Sequence, residues 1–268
     1  MHFTTSSTRR NGSPRHVVSK ADGTFSLKHL TDTMPSFLQA LKSQVGRKIL
    51  TGVTGVGLII FIIFHLATNL QLFGDVHAFN EAAHALESMG WVLYILEAGL
   101  AIAFLLHAYV GISIWWNRRK ARPEGYEKYQ SKGGPSHMSW ASRSMIFTGV
   151  VLLVFLVIHI DTFKFGATST VTLPSGEQAR DLKDLMLVTF QQPLYAFGYT
   201  AVMILLGLHL GHGFWSAFTS LTMKHNRYSA IIYTAGVIFA ILMAVGFLFI
   251  PLYIYFGGGC EAALIQCQ

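Results

Sequence analysis

Long apolar runs separated by shorter polar stretches dominate the chain. Five of these runs hold about 20 or more mostly apolar residues, which is the length that an α-helix needs to cross roughly 30 Å of hydrocarbon. They do not alternate between polar and apolar positions, as strands of a membrane β-barrel would. We therefore predict an all-α integral membrane protein whose five transmembrane helices span about residues 49–73, 91–116, 145–165, 195–218 and 231–256.

Composition agrees with this pattern. Charged residues make up 12% of the chain and hydrophobic residues 52%, whereas soluble domains carry about 25% charged residues. Two cysteines are too few to ligate an iron–sulfur cluster or to form a cysteine-zinc site. Outside the spans, we predict a polar arm at residues 1–35 and a tail at 257–268, on either side of a bundle at 36–256. The arm lacks the apolar run of a secretory signal peptide.

The basic residues orient the bundle. Most of the 20 lysines and arginines fall in residues 1–48, 117–144 and 219–230, which are the arm and the two loops on the same side. The positive-inside rule therefore predicts a cytoplasmic N-terminus and a C-terminus outside, in a bacterial-type inner (plasma) membrane. The net charge of +7 is then mostly a topology signal, and we expect no nucleic-acid partner.

Histidines stand at two depths within the spans. One lies in each of the first four helices: His65, His107, His159 and His209. At 1.5 Å of rise per residue, His65 and His159 fall in the outer half of the membrane, and His107 and His209 fall in the inner half. Each pair comes from two helices that run in the same direction. Polar side chains in lipid usually face the bundle interior or serve a function.

Two imidazoles at one depth on facing helices suit a large flat cofactor with two axial positions, and haem iron takes such ligands. The pattern predicts two bis-histidine haems b, one held by His65 and His159 and the other by His107 and His209. The chain lacks a C-x-x-C-H motif, so covalent c-type attachment is excluded. His212 competes with His209 as the fourth ligand, but only His209 has a glycine four residues later, as His107 does.

Small residues near the histidines repeat between helices. Thr54 and Thr148 each precede a span histidine by eleven residues, which places them on its face at the depth of the inner haem. Gly111 and Gly213 each follow a histidine by one helical turn, where the missing side chain would let a porphyrin edge approach the backbone. Glycine is also common at contacts between transmembrane helices, so packing alone remains an alternative explanation for each one.

Taken together, these residues resemble the diheme cytochrome b membrane anchor of succinate dehydrogenase and fumarate reductase (complex II). The matching stretches lie within Val45–Phe256 and read FHLATN at 64–69, FLLH at 104–107, TG at 148–149 and HLGHGFW at 209–215. The resemblance implies a flavoprotein subunit and an iron–sulfur subunit docked on the cytoplasmic face. It also implies quinone in the membrane, with menaquinone expected, and an oligomer of the whole complex is compatible with it. The dicarboxylate chemistry would then belong to the partner subunits.

Some fumarate-reducing relatives carry a glutamate where this chain has Gly207, which puts a proton path through that side chain in doubt.

Charged residues near the membrane surfaces are further candidates for the site. Haem propionates need cationic or hydrogen-bonding partners, and Arg118 and Arg119 stand at the inner end of the second span, with Lys164 at the outer end of the third. Glu97, near the outer end of the second span, is our candidate for proton exchange with quinone. A neutral glutamate hydrogen-bonded between helices is the alternative role for Glu97, and topology alone is the alternative role for the arginines.

Two other functions remain open at this stage. A transporter would be expected to carry broken helices or charged pathways near the membrane midplane, but the only acidic residues in the spans are Glu97 and Asp161, both near the outer end. Another quinone-linked cytochrome b subunit is the second alternative. In quinol–cytochrome c reductase the cytochrome b draws its four ligands from two helices, unlike the one-per-helix pattern here.

Overall fold

The computed structural model describes residue 39 and residues 43–121, 140–221 and 227–264. The predicted arm at 1–35 and most side chains of the predicted tail lie outside this part of the chain. The elements in order are α1 (Gln44–Asn69), a 3₁₀ turn (Leu70–Phe73), α2 (Ala78–Glu87), α3 (Trp91–Ala121), α4 (Trp140–Phe163), β1 (Thr170–Thr172), β2 (Gln178–Arg180), α5 (Leu182–Gln191), α6 (Pro193–Ser220) and α7 (Ser229–Leu264).

Five of these helices are long and apolar enough to cross a membrane: α1 with its 3₁₀ turn, α3, α4, α6 and α7. The prediction of five apolar spans is confirmed, and the chain is a predominantly α-helical, multi-pass membrane protein. Most helix ends lie beyond the predicted limits, because polar residues continue a helix past its apolar stretch, but α4 ends at Phe163, two residues before the predicted end of the third span. α1 begins at Gln44, where the Ser43 side chain accepts a hydrogen bond from the Gly46 amide and caps the helix. α7 continues to Leu264, into the stretch predicted as a tail.

Four of the spans form a ring, and the fifth lies outside it. α1 packs beside α3 and α6, while α4 packs beside α6 and, less extensively, beside α3. Consequently α1 faces α4 across one diagonal of the ring, and α3 faces α6 across the other. α7 packs along α6 and also contacts α1 and α5. This order lets side chains from two facing helices meet inside the ring.

The protein's own core lies between α1, α5, α6 and α7, where Leu66, Phe190, Leu210 and Ile250 are buried together. Large apolar side chains also cover the outward surfaces of the helices, where lipid would leave no penalty for exposing them.

Small residues bring α6 and α7 into close contact. A Cβ added to Gly207 would lie 2.8 Å from the Cβ of Ala244, and one added to Gly211 would lie 3.6 Å from the Cβ of Ala240. Because 2.8 Å is below the approach that real Cβ atoms make, α7 would have to move to admit any side chain at position 207. A glutamate side chain at position 207 would not fit this contact.

Short elements close one end of the bundle. We call α2, the β1–β2 hairpin and α5 the cap, since they connect α1 to α3 and α4 to α6 at the same end. The hairpin pairs Thr170 with Arg180, and its turn contains Gly176 with φ of +86°, a left-handed conformation that favours glycine. We call this end of the bundle the cap end, and we call the opposite end, where Arg118 and Arg119 lie in the last turn of α3, the basic end. None of these cap elements is predicted from the sequence.

A buried asparagine holds the cap together. Asn80 of α2 is 3% exposed. Its side-chain amide donates to Asp181 Oδ1 at 2.9 Å, and its side-chain oxygen accepts from the Lys183 amide at 3.0 Å. Asp181 also caps α5 by accepting from the Asp184 amide at 3.0 Å. The two loops that enter the cap are thereby joined through one polar network.

The Lys183 ammonium closes a second link in the cap by donating to the Val76 carbonyl at 3.1 Å. Burial lowers the pKa of Lys183, although the nearby carboxylates of Asp181 and Asp75 oppose this shift by favouring the charged amine. The amine therefore ties the start of α2 to the start of α5.

Candidate functional site

The first histidine pair spans the α1–α4 diagonal. The ring centres of His65 and His159 lie 5.7 Å apart with the rings nearly perpendicular. Phe61 stacks on His65 and Phe155 stacks on His159, each one turn before the histidine on the same helix. Phe247 of α7 approaches His65 at 6.0 Å between ring centres. The pair therefore sits in an aromatic environment.

The second pair spans the other diagonal. The ring centres of His107 on α3 and His209 on α6 lie 6.3 Å apart. His209, rather than His212, is the α6 ring that faces His107. Facing helices of the ring thus carry the four histidines in two pairs, each formed across a diagonal.

Two threonines from neighbouring helices contact the second pair. Thr148 Oγ1 of α4 lies 3.1 Å from Nδ1 of His209, and Thr54 Oγ1 of α1 lies 3.4 Å from Nδ1 of His107. Both threonines are buried. Counting residues along α1 and α4 predicts both threonines at the depth of the inner haem. The structure shows which histidine each of them contacts.

The glycines that follow these threonines support the same two rings. A Cβ on Gly55 would lie 3.3 Å from Cε1 of His107, and a Cβ on Gly149 would lie 3.6 Å from Cε1 of His209. At Gly55 a methyl group would press on the imidazole, so the Thr54-Gly55 dipeptide provides both a polar contact and the room for the ring.

Gly111 and Gly213, the two glycines predicted to lie beside a porphyrin, do not make a comparable contact with a histidine ring. A Cβ on either would meet no described protein atom within 4 Å. The same holds for Gly57, Gly99 and Gly198. Protein packing therefore does not require glycine at 111 or 213, and their role toward a porphyrin stays a prediction.

The first pair, His65 and His159, has a different polar environment. Among the described residues, Nδ1 of His159 is buried without a hydrogen-bond partner, and the nearby hydroxyl of Tyr199 is buried beside Thr162. Their ring centres lie 6.1 Å apart, and Phe163 packs against both. An unsatisfied buried polar group costs about 1–3 kcal/mol. Sequence reasoning missed Tyr199, because one tyrosine in an aromatic-rich span carries no distinctive signal.

The two charged candidates at the cap end form an ion pair with each other. The Lys164 ammonium donates to the Glu97 carboxylate, which links the end of α4 to the beginning of α3. Both side chains remain partly exposed, at 43% and 36%. Arg180 supports this corner by donating to the backbone carbonyls of Lys164 and Gly166 at 3.2 and 3.0 Å.

At the basic end, Arg118 and Arg119 lie exposed in the last turn of α3. The Arg119 guanidinium stands over the Trp115 ring at 5.5 Å from its centre, a cation–π contact. Arg47 donates to Ser113 Oγ at 3.2 Å and so links α1 to α3. Arg47 is not among the predicted site residues, because its position just before the apolar stretch is typical of any arginine that sets the topology.

Chemically, each histidine pair offers two imidazole nitrogen ligands from opposite helices. Such donors suit borderline transition-metal ions, iron among them. In comparisons with protein-family models, with curated proteins and with solved structures, the chain matched none.

Proposed function

We propose that this chain is the membrane-anchor cytochrome b of a succinate:quinone oxidoreductase, either a succinate dehydrogenase or a fumarate reductase. In this role it carries electrons between a cytoplasmic iron–sulfur subunit and membrane quinone by way of two haems b. The observation that carries the proposal is the pairing of four histidines, one from each helix of the ring, across the two diagonals.

The residues present fit two haems. Two metal–nitrogen bonds of about 2 Å each, together with the distance from each nitrogen to its ring centre, require ring centres roughly 6 Å apart. The observed separations of 5.7 and 6.3 Å agree with that requirement. His65 with His159 would hold one haem, and His107 with His209 would hold the other. Bound haem supplies one-electron redox chemistry, and the protein contributes ligation, burial and orientation.

The proposed orientation follows from the charges. Arg118 and Arg119 at the basic end, with most other basic residues of the sequence, favour the cytoplasm for that end. The flavoprotein and iron–sulfur subunits would therefore dock at the basic end, in a bacterial-type plasma membrane. The cap end would then face outside, and the Glu97–Lys164 pair would lie near the outer surface, where we place quinone, expected to be menaquinone.

The test is to express the full chain and record a reduced-minus-oxidised difference spectrum of the purified protein, together with its extractable haem. Two b-type haems per chain are expected. The double variant His65→Ala/His107→Ala, which removes one ligand from each pair, serves as the haem-free control. A purified, folded wild-type chain without haem would overturn the proposal and leave a transporter as the better alternative.

The link to complex II requires a separate measurement. Membranes containing the chain with its partner subunits should reduce its haems when succinate is added, and malonate should block this reduction. Haems that are present but do not respond to succinate would point instead to another quinone-linked cytochrome b subunit.

A further inference from the structure

The hydroxyl of Thr148 has more than one partner. It is fully buried, at 0% exposure. It donates within its own helix toward the carbonyls of Ser144 and Met145, both at 3.1 Å, and it lies 3.1 Å from Nδ1 of His209. A hydroxyl has a single hydrogen but two acceptor lone pairs. With the hydrogen directed to the backbone, its oxygen is left to accept a hydrogen bond from the imidazole.

Thr54 repeats this arrangement in the first half of the chain. Its hydroxyl donates to the Leu50 carbonyl at 2.7 Å and lies 3.2 Å from the Thr51 carbonyl. Its oxygen stands 3.4 Å from Nδ1 of His107, a longer and therefore weaker contact than the one made by Thr148, and the backbone of Thr51 also hydrogen-bonds this imidazole. The two threonines thus approach the two rings of one pair from two different helices.

An acceptor at Nδ1 determines the state of a neutral imidazole. If Nδ1 carries the hydrogen, Nε2 keeps the lone pair and is the only nitrogen able to bind a metal. In metal sites, a partner that accepts from the second ring nitrogen fixes the tautomer and the ring orientation and makes the ligand more basic. Among the described residues, Nδ1 of His159 in the other pair has no such partner.

We propose that the hydroxyls of Thr54 and Thr148 act as positioning residues that fix the tautomers of His107 and His209 and lower the reduction potential of the haem held by that pair. The inference rests on the proposed function. A more basic axial ligand stabilises ferric over ferrous iron, so the hydroxyls hold the potential of this haem below the value it would have without them. The other haem lacks the equivalent contact at His159.

The test is a potentiometric titration of both haems in the full chain, with Thr148→Val, Thr148→Ser and Thr200→Val compared with wild type. Valine keeps the branched shape of threonine but removes the hydroxyl, whereas serine keeps the hydroxyl. Thr200 is the matched control, because its hydroxyl also donates to the carbonyl four residues earlier, that of Ala196, on the helix that carries His209.

In Thr148→Val we expect the reduction potential of one haem to rise. Its equilibrium constant for reduction should increase by about threefold to tenfold, and a tenfold change corresponds to about 59 mV for one electron. The other haem should not change. Thr148→Ser and Thr200→Val should match wild type, and Thr54→Val should shift the same haem by less. The electron paramagnetic resonance signal of the shifted haem should also change, which reports on its ligands independently of turnover.

Equal potentials in Thr148→Val and wild type, with both haems present, would overturn the inference and leave the proposed function standing. An equal shift in Thr148→Ser and Thr148→Val would also overturn it. The change in side-chain shape, rather than the loss of the hydroxyl, would then be responsible. If Thr148→Val loses one haem while Thr148→Ser keeps both, the hydroxyl is needed to hold the ring, which supports the inference. A wild-type chain without haem refutes the proposed function itself.

Discussion

The Lys164 ammonium binds the Glu97 carboxylate and so links the residue that follows α4 to the first two turns of α3. The sequence suggested separate roles for these residues, a propionate partner for Lys164 and a proton-exchanging group for Glu97. Their contact makes the two hypotheses dependent on each other. A carboxylate that exchanges protons with quinone would have to leave its lysine partner during part of the cycle.

Paired variants separate the proton-exchange role from the ion pair. Glu97→Gln keeps the shape and removes the titrating group, while Lys164→Gln removes the ion pair but leaves the carboxylate. If Glu97 exchanges protons, quinone-linked turnover should fall at least tenfold in Glu97→Gln, with both haems still reducible by substrate, and should persist in Lys164→Gln. Normal turnover in Glu97→Gln would refute the proton-exchange hypothesis, and equal losses in both variants would assign the effect to the ion pair.

Lys164→Gln also tests the propionate hypothesis. If the ammonium stabilises a propionate of the haem held by His65 and His159, removing the positive charge should lower the reduction potential of that haem. The ferric state, which carries one more positive charge than the ferrous state, is then repelled less by its surroundings. The other haem should be unaffected. A potentiometric titration in which both potentials stay at their wild-type values would show that Lys164 serves the ion pair alone.

Single substitutions should reveal the ligand pairing. His65→Ala and His159→Ala should each remove the same haem and spare the other, while His107→Ala and His209→Ala should do the converse, because a bis-histidine site that loses one ligand holds haem weakly. Haem content and the potential of the remaining haem identify which one was lost. His212→Ala is the matched control, on the same helix as His209, and should retain both haems. Loss of a haem in His212→Ala but not in His209→Ala would assign the fourth ligand to His212.

The cap should depend on Asn80. Asn80→Ala removes two hydrogen bonds at once and leaves the Asp181 carboxylate and the Lys183 amide without these partners. We expect a loss of about 1–3 kcal/mol, visible as faster cleavage of the cap by added protease and a lower unfolding temperature. Ser88→Ala is the control, since the Ser88 hydroxyl bonds at the exposed end of α2, and it should behave like wild type. Equal protease resistance in the two variants would contradict the role of Asn80.

The contact between α6 and α7 gives a prediction about Gly207. Gly207→Ala forces a Cβ against Ala244 and should cost about 1–3 kcal/mol through overpacking. The second substitution Ala244→Gly should recover most of that loss. Gly57→Ala, where a Cβ meets no described atom within 4 Å, should be neutral or stabilising, since alanine is the better helix former. Thermal unfolding of the purified variants measures all three. A Gly207→Ala chain as stable as wild type would show that α7 moves easily.

Hydropathy predicts the five spans because membrane insertion is governed by local composition, and that information lies within each run of about 20 residues. Depth along a helix follows from counting residues, so His65 and His159 could be placed at one level before their rings were seen to lie close together. The order of helices around the ring is not local information. For this reason residue counting predicts the depth of Thr148 but cannot show that its side chain contacts His209 of α6.

The cap shows the other limit of sequence reasoning. Asn80 and Asp181 are about a hundred residues apart, and each occurs in a polar stretch where asparagine and aspartate are ordinary loop residues. Their pairing arises only after the spans have brought the two loops to the same end of the bundle. Likewise, Glu97 and Lys164 could each be placed near the cap end from the sequence, but side-chain direction decides whether they meet.

The diagonal placement of the histidines also bears on assembly of the chain. α1 and α4 face each other without adjoining, and so do α3 and α6, while the partners in each histidine pair stand about a hundred residues apart in the sequence. In a chain loaded as we propose, each haem would act as a reversible crosslink that closes a long loop of polypeptide. Ligands that bind only the folded state stabilise it by mass action. The supply of haem in the cell would then help to determine how much of this chain escapes degradation after insertion.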